Sequence, residues 1–134
     1  MTKLVEIEGI GQTYARKLQE AGVETAELLL EKGATPKGRG ELADITGINE
    51  QIILNWVNRA DLCRIKGVGD EYAERLEAAG IDALRELAYR NPENLYSRLV
   101  EVNKEKMLVR RLPTKSQLYN WVDQARELPR VITY

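Results

Sequence analysis

The sequence contains no histidine, and this absence excludes much of enzyme chemistry. Ser-His and Cys-His nucleophile pairs and His-liganded zinc or iron sites all need an imidazole. The single cysteine, Cys63, cannot form an internal disulfide, and we expect it to be structural. Asp and Glu are numerous, but they form no dense cluster with the spacing of a metal-binding loop. We therefore expect no enzyme, no catalytic residue and no metal site.

Long apolar runs are also absent, since none approaches the roughly 18 residues needed to cross a bilayer. The first residues reach Glu6 before any apolar stretch develops, which is unlike a secretory signal. A length of 134 residues, with 43% hydrophobic and 31% charged residues, is typical of one soluble domain. The sequence predicts a single compact domain over residues 1–134, located in the cytoplasm and without a membrane partner.

The chain repeats itself at an offset of 58 residues. Residues 7–23 match residues 65–81 with 8 identities in 17 positions. A second match, between Asn55-Trp56-Val57 and Asn120-Trp121-Val122, has an offset of 65, so the second repeat carries a seven-residue insertion. We interpret residues 1–62 and 63–134 as two repeats, and we expect Trp56 and Trp121 to be buried at equivalent positions.

Apolar residues fall at helical spacing in both repeats, and no stretch shows sustained two-residue alternation. Cap signals such as Thr35-Pro36 and Asn91-Pro92 mark further helix starts. The predicted helices lie near residues 2–7, 12–21, 24–32, 36–46, 49–64, 70–79, 82–90, 92–102 and 114–127. The predicted fold class is all-α.

Each repeat carries a Gly-x-Gly turn immediately before a predicted helix, at Gly9-Ile10-Gly11 and at Gly67-Val68-Gly69. Glycine has no Cβ and adopts positive φ, so such a turn can present backbone N–H groups to an anion beside the positive end of the helix. Ile10 and Val68 are expected to point into the core. A tight connection between helices is the alternative use of the same pattern.

The repeated motif, Ile-x-Gly-(Ile/Val)-Gly-x-x-Tyr-Ala-x-(Lys/Arg)-Leu-x-x-Ala-Gly-(Val/Ile), resembles the helix-hairpin-helix motif. The whole chain looks like a bacterial family of tandem hairpins catalogued as a domain of unknown function, DUF4332. This resemblance implies two tandem helix-hairpin-helix repeats that pack as one pseudo-two-fold domain. It also implies DNA or another nucleic acid as partner, held by backbone amides independently of sequence. A monovalent cation at a turn is the one cofactor that the resemblance suggests.

By the same resemblance, the phosphate contacts fall on Gly9, Ile10, Gly11, Gly67, Val68 and Gly69. The residues that follow the first turn are neutral to basic, and among them Thr13 and Lys17 suit a phosphate. Asp70, Glu71 and Glu74 follow the second turn instead, and their carboxylates would repel a phosphate there.

Basic residues concentrate near the end of the chain. Residues 103–134 have 7 basic and 3 acidic residues, whereas residues 1–62 have 7 and 10. We define the basic patch as Lys104, Lys106, Arg110, Arg111 and Lys115. It suits a phosphate or an acidic protein surface, and a solvated helix face is the alternative. The net charge of the whole chain is -1, whereas a dedicated nucleic-acid-binding domain is usually strongly basic.

Two functional hypotheses remain open. The first is a non-enzymatic nucleic-acid-binding module that holds the phosphate backbone through its hairpin turns. The second is a helical protein–protein interaction or scaffold module without nucleic-acid binding, in which the turns serve packing or docking to a protein partner. We favour the first.

Overall fold

The computed structural model describes residues 2–7, 9–106 and 112–134, with side chains at all of these except 70, 71, 105 and 106. The described residues are helical or irregular, apart from one isolated antiparallel bridge between Lys3 and Thr25. The all-α prediction is confirmed. A 3-10 helix at Leu4–Glu6 is followed by α1 (Gln12–Glu20), α2 (Ala26–Lys32), α3 (Pro36–Thr46), α4 (Glu50–Leu62), α5 (Asp70–Ala78), α6 (Leu84–Ala88), α7 (Pro92–Lys106) and α8 (Lys115–Glu127).

The helix bounds differ most from the prediction at three places. The segment predicted at residues 2–7 is a three-residue 3-10 turn, closed by the Ile7 N–H donating to Leu4 O at 3.0 Å. The helix predicted at 82–90 is shorter, and the one predicted at 92–102 extends to Lys106. α7 is long because Leu95, Leu99 and Val102 keep a buried face at helical spacing and no Gly or Pro interrupts it.

The chain divides into two compact units. Unit 1 comprises residues 1–61 and 130–134, and unit 2 comprises residues 62–129. Each unit has its own apolar core containing one tryptophan, Trp56 in unit 1 and Trp121 in unit 2. The two indoles are 5% and 2% exposed, which confirms the expected burial. Cys63 is partly buried against the core of unit 2.

Residues 130–134, the C-terminal tail, pack within unit 1. Ile132 joins the core, and the Thr133 N–H donates to Ala34 O at 2.7 Å. The buried guanidinium of Arg39 donates to Gly33 O at 2.9 Å and to Thr133 O at 2.8 Å. The Tyr134 hydroxyl donates to Asn58 Oδ1 at 2.6 Å. These contacts give the buried charge its hydrogen-bond partners and hold the tail in place.

Candidate anion site at the two glycine turns

Residues 9–11 form turn 1 and residues 67–69 form turn 2. The first glycine of each turn serves the fold. Gly9 has φ +90° and Gly67 has φ +97°, values that a side chain rarely adopts. A Cβ would lie 3.2 Å from Trp56 Nε1 at Gly9 and 2.9 Å from Trp121 Nε1 at Gly67. The first glycine therefore lets the backbone turn closely over the tryptophan of its own unit.

The middle residue of each turn is an anchor. Ile10 and Val68 are buried in the cores of their units, as expected. The Ile10 N–H donates to Ile7 O at 3.1 Å, and the Val68 N–H donates to Ile65 O at 3.1 Å. Because these two N–H groups already donate within the turn, an anion there would use the N–H groups that follow.

The second glycine of each turn has a different environment. Gly11 and Gly69 are the N-cap residues of α1 and α5, with φ of -81° and -88°, which any residue adopts. A Cβ at either position would meet nothing within 4 Å. Backbone conformation and packing therefore do not require glycine here. Its effect is to leave the first N–H groups of each helix without an oxygen acceptor from the cap side chain.

Five other helices begin differently, because a side-chain oxygen of the N-cap residue accepts a backbone N–H from the first turn of the helix. Thr25 accepts the Leu28 N–H at 3.2 Å, and the capping oxygens of the other four helices make the same kind of bond. The five cap residues are Thr25, Thr35, Asn49, Asn91 and Thr114. Apart from α6, which begins after Ala83, the described α-helices that start without a capping oxygen are α1 and α5.

Thr13 and Lys17 extend the site at turn 1. Both are exposed, and their spacing of four residues places them on the same face of α1. Arg16 is exposed beside them. The structure thus places Gly11 and Thr13 at the N-terminus of α1, whereas Lys17, also predicted for the phosphate site, lies in the last turn of that helix. Glu8, which precedes turn 1, lies outside the described residues.

Turn 2 is held by a contact that the sequence did not reveal. The Lys66 N–H donates to Gln124 Oε1 at 2.9 Å, and Gln124 Nε2 donates to Lys66 O at 3.2 Å. Lys66 itself is exposed, so turn 2 has a cation before it as well as the acidic residues after it. The side chains of Asp70 and Glu71 lie outside the described residues, and Glu74 is exposed on α5.

The far ends of α1 and α5 show a further match between the units. Lys32 Nζ donates to Gly22 O at 3.4 Å, and Arg90 Nη2 donates to Ala79 O at 3.0 Å. Lys32 and Arg90 are 58 residues apart, the offset of the repeat, so the correspondence continues beyond residue 81. The sequence signal for this correspondence is that both positions, 32 and 90, carry a basic residue.

The structure describes part of the basic patch. Lys104 is exposed, whereas the side chain of Lys106 and all of Arg110 and Arg111 lie outside the described residues. The ammonium of Lys115 is 3.2 Å from Glu93 Oε2 and 5.4 Å from the Tyr96 ring centroid. Lys115 is therefore already paired, which reduces the positive charge it offers to a partner.

Glu93 also accepts a hydrogen bond of 3.2 Å from the Tyr119 hydroxyl. The hydrogen bonds from Lys115 and Tyr119 hold the pKa of Glu93 below its ordinary value, because both favour the carboxylate. The same bond to Glu93 raises the pKa of Tyr119, since losing the proton would place two negative charges together. This exposed cluster joins α7 to α8.

The described residues contain no group of three or more His, Cys, Asp or Glu that could hold a metal. Several acidic side chains lie outside them, so the predicted absence of a metal site stays a prediction. Within the described ranges, no helix has the length and apolar character needed to cross a membrane.

The fold and these turns define an all-helical protein in which two helices begin at exposed glycine caps, each two residues after a glycine that packs over a buried tryptophan. The chain belongs to the family described as Domain of unknown function (DUF4332), whose model matches residues 8–128. The family inferred from the repeated motif is thereby confirmed. No curated protein and no solved structure matches the chain.

Proposed function

We propose that the chain is a non-enzymatic nucleic-acid-binding protein. Turns 1 and 2 act as the hairpins of two tandem helix-hairpin-helix repeats and hold the phosphate backbone independently of sequence. The observation that carries this proposal is the pair of exposed glycine caps at Gly11 and Gly69, where the fold itself does not require glycine.

An open glycine cap suits a phosphate for two physical reasons. The N–H groups of the first helical turn point at the space that a capping side chain would otherwise fill, and a phosphate oxygen can accept from them. The positive end of the helix dipole adds a favourable electrostatic contribution at the same point. Neither contact depends on the base, so binding would not discriminate between sequences.

Turn 1 is the stronger of the two sites in this proposal. Exposed Arg16 and Lys17 follow it on α1, and no described residue pairs with either side chain. Turn 2 has Lys66 before it but Asp70, Glu71 and Glu74 after it, and these carboxylates repel phosphate. The basic patch contributes mainly long-range attraction, which weakens with salt.

The test is fluorescence anisotropy with short single- and double-stranded DNA and RNA at two salt concentrations, on the full chain and on Gly11→Asp. An Asp cap accepts the N–H groups itself, so it should stabilise α1 by a few tenths of a kcal/mol. The same carboxylate should weaken nucleic-acid binding, because it occupies and repels the phosphate position. Stability and affinity should therefore move in opposite directions.

The matched control is Thr35→Asp, which adds the same charge at the N-cap of α3 and keeps the capping oxygen. It should leave affinity nearly unchanged. If no nucleic acid binds at low salt, or if both Asp variants weaken binding equally, the proposal is wrong. The protein would then be better described as a helical protein-interaction or scaffold module.

Three further sequence-based expectations stay predictions: a monovalent cation at a turn, a cytoplasmic location and the absence of catalysis. For the cation, the Ile7 and Ile65 carbonyls each accept an N–H within the turn and keep one further lone pair. Binding measured in potassium, sodium and a bulky organic cation would show whether a bound cation contributes.

A further inference from the structure

We infer that Tyr14 is a stacking platform for an unpaired base, so that unit 1 binds single-stranded nucleic acid in preference to duplex. This inference rests on the proposed function and deepens it, because it names the form of nucleic acid that turn 1 accepts. It is carried by a difference between two equivalent tyrosines, Tyr14 in unit 1 and Tyr72 in unit 2.

Tyr14 is placed close to turn 1. It is the third residue of α1, and helical side chains tilt toward the helix N-terminus, so its side chain is directed toward the first turn of the helix. Its centroid is 5.1 Å from that of Trp56, with an angle of 61° between the ring planes. This edge contact with a buried indole fixes the orientation of a tyrosine that is itself 37% exposed.

Tyr72 makes the same kind of contact with the tryptophan of its own unit, but a different side chain lies over its ring. Its centroid is 5.2 Å from that of Trp121, with an interplanar angle of 57°. The Arg75 guanidinium lies 5.4 Å from the Tyr72 centroid and is buried, so it covers this ring. Lys17 occupies the equivalent position in unit 1 and is exposed. The Tyr14 ring is therefore more open to a ligand than the Tyr72 ring, which is partly buried and has a guanidinium over it.

The neighbours of Tyr14 fit a nucleotide. A phosphate at the open N-terminus of α1 would bring the attached sugar and base toward the ring, and the exposed Arg16 and Lys17 add positive charge further along the same helix. Every base has a π-face that can stack on an aromatic side chain, so this contact tolerates any sequence. Bases inside a duplex are already stacked on their neighbours, so a duplex has no free face to offer without unstacking.

The test compares Tyr14→Leu with Tyr72→Leu in the full chain. Leucine keeps apolar packing against the tryptophan but removes the aromatic face. Tyr14→Leu should bind single-stranded DNA roughly 5- to 100-fold more weakly, the range expected from losing one stacked base. Binding of duplex DNA should change little. Tyr72→Leu should leave both affinities near those of the parent chain, and Tyr14→Phe should bind like the parent.

A second measurement does not depend on how well the leucine variants fold. Adding a single-stranded oligonucleotide to the parent chain should shift the Tyr14 ring proton resonances upfield, while those of Tyr72 stay in place. The stacking role would be overturned if Tyr14→Leu and Tyr72→Leu lost equal affinity for single-stranded DNA, or if the Tyr14 resonance did not shift in the complex. The phosphate-binding proposal would stand in either case. If the parent chain binds neither form of nucleic acid, the proposed function fails, and this inference fails with it.

Discussion

The four turn glycines separate into two classes, and replacement by alanine should destabilise the protein in one class and leave its stability nearly unchanged in the other. Gly9 and Gly67 have positive φ and lie against a tryptophan, whereas Gly11 and Gly69 have ordinary φ and face open space. Alanine at all four positions is therefore a direct test of which glycines the fold needs. The motif alone presents the two positions as equivalent.

The expected magnitudes follow from the geometry. A side chain at positive φ costs about 1–2 kcal/mol, which is our expectation for Gly9→Ala. At Gly67 the added Cβ would lie 2.9 Å from Trp121 Nε1, so the buried indole must also shift. An off-rotamer side chain adds about 0.5–1.5 kcal/mol, which brings the expected loss for Gly67→Ala to about 1.5–3.5 kcal/mol. Gly11→Ala and Gly69→Ala should stay within about 0.5 kcal/mol, because lower unfolded-state entropy offsets the poorer N-cap.

Urea denaturation followed by tryptophan fluorescence measures these differences, since each unit contains one tryptophan. We expect the loss in free energy of unfolding to be largest for Gly67→Ala, smaller for Gly9→Ala and smallest for Gly11→Ala and Gly69→Ala. A loss above about 1 kcal/mol for Gly11→Ala would show that the fold requires that glycine. The open cap at Gly11 would then have a structural cause and would no longer point to the approach of a ligand.

Four further predictions concern stability and charge. Trp56→Ala and Trp121→Ala should each lower the free energy of unfolding by about 3–5 kcal/mol, and a loss under about 1 kcal/mol in chemical denaturation would contradict their core role. Arg39→Met should cost about 2–4 kcal/mol in the same assay, because two carbonyls lose a charged donor. Glu93 has a lowered pKa, so its contribution is present above its ordinary pKa and disappears as pH falls through the lowered one. Glu93→Gln should therefore unfold more easily than the parent at neutral pH and equally in strong acid, and a constant difference would refute this. Neutralising Lys104, Lys106, Arg110 and Arg111 together should weaken nucleic-acid binding for all sequences and flatten its salt dependence, and an unchanged slope would remove the basic patch from the interface.

Much of the helical framework follows from local patterns in the sequence. The repeat and the 3.6-residue periodicity placed Leu18 and Leu76 on buried faces, where both are almost fully enclosed. Cap residues such as Thr35 and Thr114 marked helix starts that the structure shows. These features depend on neighbours within a few residues, which is why a single sequence contains them.

The remaining features depend on distant or backbone partners. The burial of Arg39 is compensated by main-chain carbonyls, which any residue type provides, so no sequence signal marks it. The cover of Tyr72 by Arg75 and the exposure of Lys17 follow from tertiary packing, although the two cations occupy equivalent positions. In the same way, a Gly-x-Gly pattern does not reveal which glycine has a positive φ and which one faces open space.

The C-terminal tail has a consequence for the order in which the chain can fold. Unit 2 is one continuous stretch, residues 62–129, so its core needs no residue from outside that stretch. Unit 1 needs contacts between Thr133 and Ala34, 99 residues apart, and between Tyr134 and Asn58, 76 residues apart. Closing such long loops has an entropic cost and slows folding. The core of unit 2 can therefore form without the tail, whereas unit 1 reaches its final packing only after residues 130–134 have closed these loops.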